Sequence, residues 1–202
     1  MLLLNFTRII AVSNIFGSRI KAAILKSLCC ENKSLILLLG NTCSPVIIRQ
    51  VHGMCDGLLY GVTGSLDDVS VVTTLKNLGA YIGGKIIIVD NLSIAGLGLQ
   101  VRNDLKNLLG LSHRPDILVT YFPPRSLCKE TQGHICGLET VDEAISKLNP
   151  QVVFWGWYGP VACYRECDYY KCIKGNIIEA EYSAEKGIHG FKIRKWILDM
   201  GG

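Results

Sequence analysis

The side chains in this sequence that could do chemistry lie in five short loops, each of which follows an apolar run. The loops read SNIFG (13–17), GNT (40–42), TGSLDD (63–68), VTYFPP (119–124) and WGWYGP (155–160). Amides, hydroxyls and aromatic rings dominate them, and these groups form hydrogen bonds and apolar contacts. The carboxylates within them are Asp67 and Asp68, which a helix N-cap explains. The loops therefore predict hydrogen bonding and packing.

The elements between these loops alternate between strands and helices. Continuous apolar runs predict buried strands over residues 7–12, 35–39, 58–62, 116–120 and 151–155. Capping residues and the apolar period predict five helices. One begins at Ser18 and ends near residue 28, the next begins at Ser44-Pro45, and the third follows Asp67-Asp68 and ends at residue 78. The fourth lies near residues 101–109, and the fifth begins at Thr140 and ends at residue 148. Such sheets, covered by helices, are typical of an α/β layered fold, in which sites lie at the carboxyl ends of the strands.

Antiparallel additions to this pattern are expected in the middle and at the end of the chain. Residues 85–89 and 92–95 flank Asp90-Asn91, which suits a two-residue hairpin turn. Residues 172–182 and 191–198 predict two further antiparallel strands.

Length and composition favour one globular domain over residues 1–202. Apolar residues make up 49% of the 202 residues and charged residues 19%, so disorder is not expected. The apolar stretch 1–12 is too short for a membrane span and lacks the pattern of a signal peptide. We therefore expect a cytoplasmic protein with no membrane association.

The nine cysteines form no Cys-x-x-Cys pair, which argues against a zinc ribbon or a redox motif. In a cytoplasmic protein they are interpreted mainly as buried thiols. Disulfides stay open as an alternative if the source is a hyperthermophile. A metal site at Cys163, Cys167 and Cys172 is a weaker alternative, because no histidine pair lies nearby.

The order and spacing of the five loops resemble the calcineurin-like metallophosphoesterase superfamily, especially its small archaeal and bacterial members. That family carries Asp-x-His, Gly-Asp, Gly-Asn, a later His and Gly-His-x-His. The residues of this chain that flank those motifs agree with the family, and they include Gly17, Gly40, Phe122-Pro123-Pro124 and Gly156. The resemblance covers residues 7–182 and implies a four-layer α/β/β/α sandwich.

The positions that align with the family's metal ligands carry other residues. These are Asn14, Phe16, Asn41, Ser65, Tyr121, Trp157 and Gly159. The family's reaction uses two cations about 3.5–4 Å apart, and carboxylates normally offset their repulsion. At an effective dielectric of about 20, each missing charge–charge interaction at 4 Å is worth roughly 4 kcal/mol. The resemblance therefore implies no metal, no other cofactor and no catalytic residue.

The replacements also predict a new environment at that place. Phe16, Tyr121, Trp157 and Tyr158 are expected to gather there, either as filler or as an aromatic face that binds a partner. His134 is the one histidine near the former site, and a structural or surface role is favoured for it. By analogy with relatives that act as scaffolds, we expect a non-catalytic assembly subunit with a protein partner whose identity is unknown.

Two other functions stay open. One is a metal-dependent phosphoesterase with a non-standard site built on His134, Asp67 or the cysteines. The other is a nucleic-acid or polyanion module that reuses the pocket together with Arg194 and Lys195, which belong to a late cluster of basic residues.

Overall fold

The computed structural model describes residues 6–31, 33–128, 136–167 and 169–196. The chain forms eleven named strands and five helices within these ranges. The helices are α1 (Arg19–Glu31), α2 (Pro45–Met54), α3 (Val69–Asn77), α4 (Val101–Leu109) and α5 (Glu139–Leu148). The strands are β1 (Arg8–Val12), β2 (Ser34–Leu39), β3 (Leu59–Val62), β4 (Ile86–Val89), β5 (Leu92–Leu97), β6 (Ile117–Thr120), β7 (Val152–Trp155), β8 (Val161–Glu166), β9 (Tyr169–Lys174), β10 (Ile177–Ser183) and β11 (Gly187–Arg194).

The strands form two sheets, each with a parallel centre. The first sheet has the order β11-β10-β1-β2-β3, and the second has the order β4-β5-β6-β7-β8-β9. Strands β1, β2 and β3 are parallel, as are β5, β6 and β7, while the outer strands pair antiparallel. The loops that follow the parallel strands of one sheet therefore lie at one edge of that sheet.

Three apolar clusters define four layers. One cluster lies between the sheets and contains Leu37, Val119 and Phe154. A second joins the outer face of the first sheet to α1, α2 and α3, and a third joins the outer face of the second sheet to α4 and α5. The predicted α/β/β/α sandwich is confirmed. Strands buried on both faces explain why β1 and β2 read as unbroken apolar runs.

Local capping explains where several elements begin. The Oγ of Ser44 accepts a hydrogen bond from the N–H of Ile47, and Pro45 occupies the first turn of α2. Asp68 caps α3 by accepting from the N–H groups of Ser70 and Val71. Both residues of the turn between β4 and β5, Asp90 and Asn91, have positive φ, so the predicted hairpin is confirmed.

The start of α5 and the late strands differ from prediction. Helix α5 begins at Glu139 after Leu138, so Thr140 is not its N-cap. The run 172–182 is not one strand: it contains the end of β9 in the second sheet and most of β10 in the first. Strand β8 was not predicted, and β11 begins and ends earlier than residues 191–198. Long-range pairing, which the local pattern does not contain, decides these boundaries.

The interpretation of the cysteines as mainly free thiols is wrong for the residues described. Three disulfides join Cys29 to Cys55, Cys128 to Cys136 and Cys163 to Cys172. Packing of α1 beside α2 brings the first pair together, and the β8–β9 register places Cys163 opposite Cys172. That last bond occupies two of the three sulfurs of the suggested metal site, and Cys167 is exposed in the turn between the strands.

None of the helices in the described part of the chain is long and apolar enough to cross a membrane.

Candidate functional site

A hydrogen-bond network connects the loops at the carboxyl ends of β1, β2, β3 and β6. The Nδ2 of Asn41 donates to the Oδ1 of Asn14 at 2.9 Å and to the hydroxyl of Tyr121 at 3.0 Å. That hydroxyl also lies 2.9 Å from the Oγ of Ser65. Four of the seven positions singled out by the resemblance, Asn14, Asn41, Ser65 and Tyr121, thus contact one another in one chain of bonds.

The amide groups in this network have their hydrogen-bonding groups engaged. The Oδ1 of Asn41 accepts from the backbone N–H of Leu66, and its Nδ2 has the two acceptors named above. The Nδ2 of Asn14 faces the carbonyl oxygens of Gly156 and Trp157 at 3.3 and 3.4 Å. Both asparagines have φ near +55°, a backbone conformation that Asn tolerates better than most residues. The side-chain oxygen and nitrogen of both asparagines therefore contact other groups of the protein.

The ring of Tyr121 fills the space between the loops after β2 and β3. The side chain is 3% exposed. A Cβ atom added to Gly40 would lie 2.6 Å from the ring, and one added to Gly64 would lie 2.7 Å from it. Glycine at both positions therefore permits the close approach of the ring to the two loops.

Asp67 holds the same two loops together through the backbone. Its carboxylate accepts from the N–H groups of Asn41 at 2.7 Å, Cys43 at 2.7 Å and Gly64 at 2.8 Å. The prediction that Asp67 and Asp68 both serve as an N-cap is therefore correct for Asp68 and wrong for Asp67. Three charge-assisted bonds leave Asp67 a structural carboxylate.

A lysine approaches the network from α1. The Nζ of Lys21 donates to the backbone oxygen of Asn14 at 2.7 Å and lies 5.3 Å from the ring centroid of Phe16. It also lies 5.5 Å from the ring centroid of Trp196. Partial burial lowers the pKa of Lys21. The positive charge beside the network is therefore the ammonium group of Lys21.

The aromatic residues gather only in part. The ring of Trp157 lies 5.3 Å from that of Tyr121, 5.2 Å from that of Phe122 and 5.7 Å from that of Tyr158. Phe16 has no ring–ring contact with these residues in the described part of the chain, and its ring lies beside Lys21 instead. Tyr121 is buried, Trp157 is half-buried and Tyr158 is 71% exposed. The cluster therefore extends from the core to the protein surface.

The remaining predicted residues lie away from the network. Gly159 follows the cluster with φ of +111°. The Nε of Arg194 lies 2.8 Å from the Oε1 of buried Glu179, as an ion pair whose N–H is not aligned for a hydrogen bond. Lys195 is exposed at the end of β11. His134 lies outside the described residues.

A free thiol, that of Cys43, adjoins the network but is poorly suited to act as a nucleophile. Burial raises the pKa of Cys43, and the charges of Asp67 and Asp68 raise it further. Its Sγ donates to the carbonyl of Leu66 at 3.4 Å. The thiol form is therefore the stable one at neutral pH.

These donors do not fit a pair of divalent cations. In the described ranges no group of three or more His, Cys, Asp or Glu side chains could hold a metal ion. The oxygens of Asn14 and Asn41 already accept hydrogen bonds from the protein. Two adjacent dications need carboxylates and imidazoles that this arrangement does not offer.

Comparison with solved structures shows the fold. The structure of TT1561 of Thermus thermophilus matches with a TM-score of 0.57 and 16% identity, covering 75% of this chain and 81% of that chain. A second solved structure matches with a TM-score of 0.67 and 14% identity, covering 96% of this chain and 100% of that chain. The structure of an archaeal phosphodiesterase matches with a TM-score of 0.44 and 13% identity over 83% of this chain and 99% of that chain. Likeness at these identities concerns the fold alone.

No protein-family model matches the sequence, and no curated protein is significantly similar to it.

Sequence reasoning missed two residues of this site. Lys21 reads as one of several surface cations on α1, and the sequence contains nothing that directs it to Asn14. The separate role of Asp67 could have been found, because one aspartate is enough to cap a helix and its neighbour is then unexplained.

Proposed function

We propose that this chain is a metallophosphoesterase-fold protein that does not hydrolyse phosphoesters and acts as a protein-interaction or assembly subunit. The observation that carries the proposal is the closed hydrogen-bond network of Asn14, Asn41, Ser65 and Tyr121. In the family that the sequence resembles, the corresponding loops bind two metals. Here amides, hydroxyls and an aromatic ring bind one another instead.

Charge supports the same proposal. The nearest carboxylate, Asp67, is engaged by three backbone N–H groups, and Lys21 places a cation on the backbone of Asn14. At an effective dielectric of about 20, a dication 4 Å from a lysine ammonium would meet roughly 8 kcal/mol of repulsion. Metal binding at this place would therefore break hydrogen bonds of the network, and the charge of Lys21 would oppose it.

Exposed apolar side chains support an interaction role. Five of them, which we call the apolar rim, are between 51% and 80% exposed: Phe16, Ile20, Val46, Leu66 and Val69. All lie in the loops after β1–β3 or in the first turns of the helices that follow. The loops touch one another, because the N–H of Phe16 donates to the oxygen of Asn41 and the Sγ of Cys43 to the oxygen of Leu66. Apolar side chains gathered at one edge favour a protein partner.

Elemental analysis and hydrolysis assays on one preparation of the whole chain test the proposal. After incubation with Mn²⁺ and removal of free ions, we expect less than stoichiometric metal and no hydrolysis of bis-p-nitrophenyl phosphate or p-nitrophenyl phosphate above the buffer rate. A double variant, Asn14→Asp with Asn41→Asp, tests whether two restored carboxylates alone are enough for metal binding. Stoichiometric metal in the natural chain, together with hydrolysis that His134→Ala abolishes, would establish the phosphoesterase alternative.

The polyanion alternative is tested with the same preparation. Arg194 is the ion-pair partner of buried Glu179, which leaves it less free to meet a phosphate. We therefore expect weak binding of a 20-base-pair duplex that changes little when Lys195 is replaced by Ala. A strong, salt-sensitive affinity that falls on this change would favour a nucleic-acid module.

A further inference from the structure

Three basic residues, Arg19, Lys26 and Arg49, line one groove. Residues 19–54 contain five of the 21 Lys and Arg of this chain and one of its 17 Asp and Glu, so this segment carries the net charge of +4 while the rest is neutral. The segment includes α1 and α2, which pack side by side. A surface groove of about 900 Å³ runs between these helices.

The α1 wall of the groove is a stripe of one helical face. Arg19, Ala22, Ala23 and Lys26 line it, at the spacing that places residues on one side of a helix. The two cations lie at the ends of this stripe. The two alanines between them have short side chains, so the middle of the wall is not filled. No acidic residue belongs to either wall of the groove among the described residues.

The α2 wall has the same construction. Val46, Arg49, Gln50 and Gly53 line it at matching helical spacing. Arg49 is exposed and uses one N–H toward the Oγ1 of Thr74 at 3.4 Å. A Cβ atom added to Gly53 would meet nothing within 4 Å, so the groove is open above it.

We infer that the groove between α1 and α2 binds an acidic amphipathic helix of a partner protein. Small residues let the backbone of a third helix come close, and ridges of side chains pack between two helices in this way. Val46 supplies exposed apolar surface and continues into the apolar rim, while Arg19, Lys26 and Arg49 match acidic residues that flank an apolar stripe. The groove lining on α1 runs from Arg19 to Lys26, so at about 1.5 Å per residue it offers roughly 12 Å, or about two turns of a partner helix.

A helix fits these residues better than a nucleic acid does. Nucleic-acid surfaces combine many cations with aromatic or polar groups that meet bases and sugars. This groove has three cations, and its walls include Ala22, Ala23 and Val46, whose accessible apolar surface a phosphate backbone would leave without a partner. The inference rests on the proposed interaction function but not on the absence of hydrolysis.

Selection from a peptide library tests the inference. The probe is a naive displayed library of 14-residue peptides, with leucine fixed at the first, fourth, eighth and eleventh positions and the others random. The whole chain is the target, and a selection without protein is the background. We expect enriched peptides to carry Asp or Glu beside the leucines.

Variants then locate the binding of a labelled, enriched peptide by fluorescence anisotropy. Gly53→Trp fills the groove, and Arg19→Glu with Lys26→Glu reverses its charge. We expect each to raise the peptide Kd at least tenfold. Arg102→Glu with Lys106→Glu on α4 changes the net charge equally and should alter the Kd less than twofold. If Gly53→Trp lowers the melting temperature, Ala23→Trp, which fills the groove from α1, takes its place.

Several results would overturn the inference. They are no enrichment above background, enriched peptides without acidic residues, or binding that survives the groove variants. Binding of a 20-base-pair duplex or of phosphatidylserine vesicles that the groove variants abolish, without peptide binding, would assign the surface to those ligands. Self-association that Gly53→Trp abolishes would assign it to a second copy of this chain. Metal content and hydrolysis of the same preparations show separately whether the proposed lack of catalysis fails.

Discussion

The carboxyl edges of the two sheets are built from different kinds of contact. At the first sheet, the loops after β1, β2 and β3 are joined by polar bonds centred on Asn41 and Asp67. At the second sheet, the loops after β6 and β7 are joined by rings, with Trp157 against Phe122 and Tyr158. Tyr121 belongs to both, because its ring contacts Trp157 and its hydroxyl contacts Asn41. One edge is held by direction-dependent bonds and the other by packing.

The two edges also differ in how they hold a carboxylate. Asp67 accepts three backbone N–H groups, whereas Asp104 on α4, beside the end of β5, accepts from the N–H of Gly98 at 2.7 Å. Burial raises the pKa of Asp104, and the bond from Gly98 offsets only part of that effect. The carboxylate of Asp67 links two loops through three hydrogen bonds. The carboxylate of Asp104 is buried with fewer hydrogen bonds to its oxygens.

Removing Asp67 should have the largest effect on this comparison. Asp67→Ala leaves the N–H groups of Asn41, Cys43 and Gly64 without their acceptor, and we expect the free energy of unfolding to fall by about 2–4 kcal/mol. Urea denaturation measures it. Asp68→Ala removes a helix cap and should lower the free energy of unfolding by less than Asp67→Ala does. Equal losses for the two variants would show that Asp67 is no more than a second cap.

The hydroxyl of Tyr121 should have a smaller effect. Tyr121→Phe keeps the ring in the aromatic cluster but leaves the Nδ2 of Asn41 without one acceptor, so we expect a loss of about 1–2 kcal/mol in urea denaturation. Tyr158→Phe, at an exposed position, should change the free energy of unfolding by less than about 0.5 kcal/mol. A Tyr121→Phe variant as stable as the natural chain would mean that the hydroxyl of Tyr121 adds nothing to the packing of its ring.

Much of the fold could be predicted because its central strands are buried on both faces. The runs that became β1, β2, β6 and β7 are apolar at nearly every position, and their burial requires helices on both outer sides. The chain from β8 to β11 could not be assigned in this way. Residues 172–182 contain the turn signal Gly175-Asn176, where the chain leaves the second sheet, but that signal does not say that the next strand joins the first sheet. Which sheet a strand joins depends on distant partners.

The candidate site was predictable in its residues and less so in its contacts. Asn14, Asn41, Ser65 and Tyr121 could be singled out from the order of the loops, and they do form one network. Phe16 could not be separated from Trp157 and Tyr121 by sequence, because its direction depends on the positive φ that it adopts. The Cys29–Cys55 and Cys163–Cys172 disulfides could not be predicted for a similar reason, since these cysteines meet only after the helices and strands have packed.

The smallest expected effect concerns Asp104, whose loss of charge should stabilise the chain at neutral pH. Asp104→Asn keeps an acceptor for the N–H of Gly98 and removes a charge that burial disfavours, so we expect a gain below about 1 kcal/mol. The pKa of Asp104 in the folded chain is raised above its ordinary value near 3.8. As the pH falls through the raised pKa toward that value, the folded chain takes up a proton before the unfolded chain does, and the natural chain gains stability.

Thermal unfolding of the natural chain and of Asp104→Asn, at intervals from neutral pH to about pH 3, checks this sign. The advantage of the variant should shrink as the pH falls through that window and should disappear below it. Glu185→Gln, in the exposed turn between β10 and β11, is the matched control and should show no such convergence with the natural chain. If the advantage of Asp104→Asn stays constant or grows on acidification, the carboxylate of Asp104 is as well supported as that of Asp67. The contrast between the two edges would then be confined to the aromatic rings.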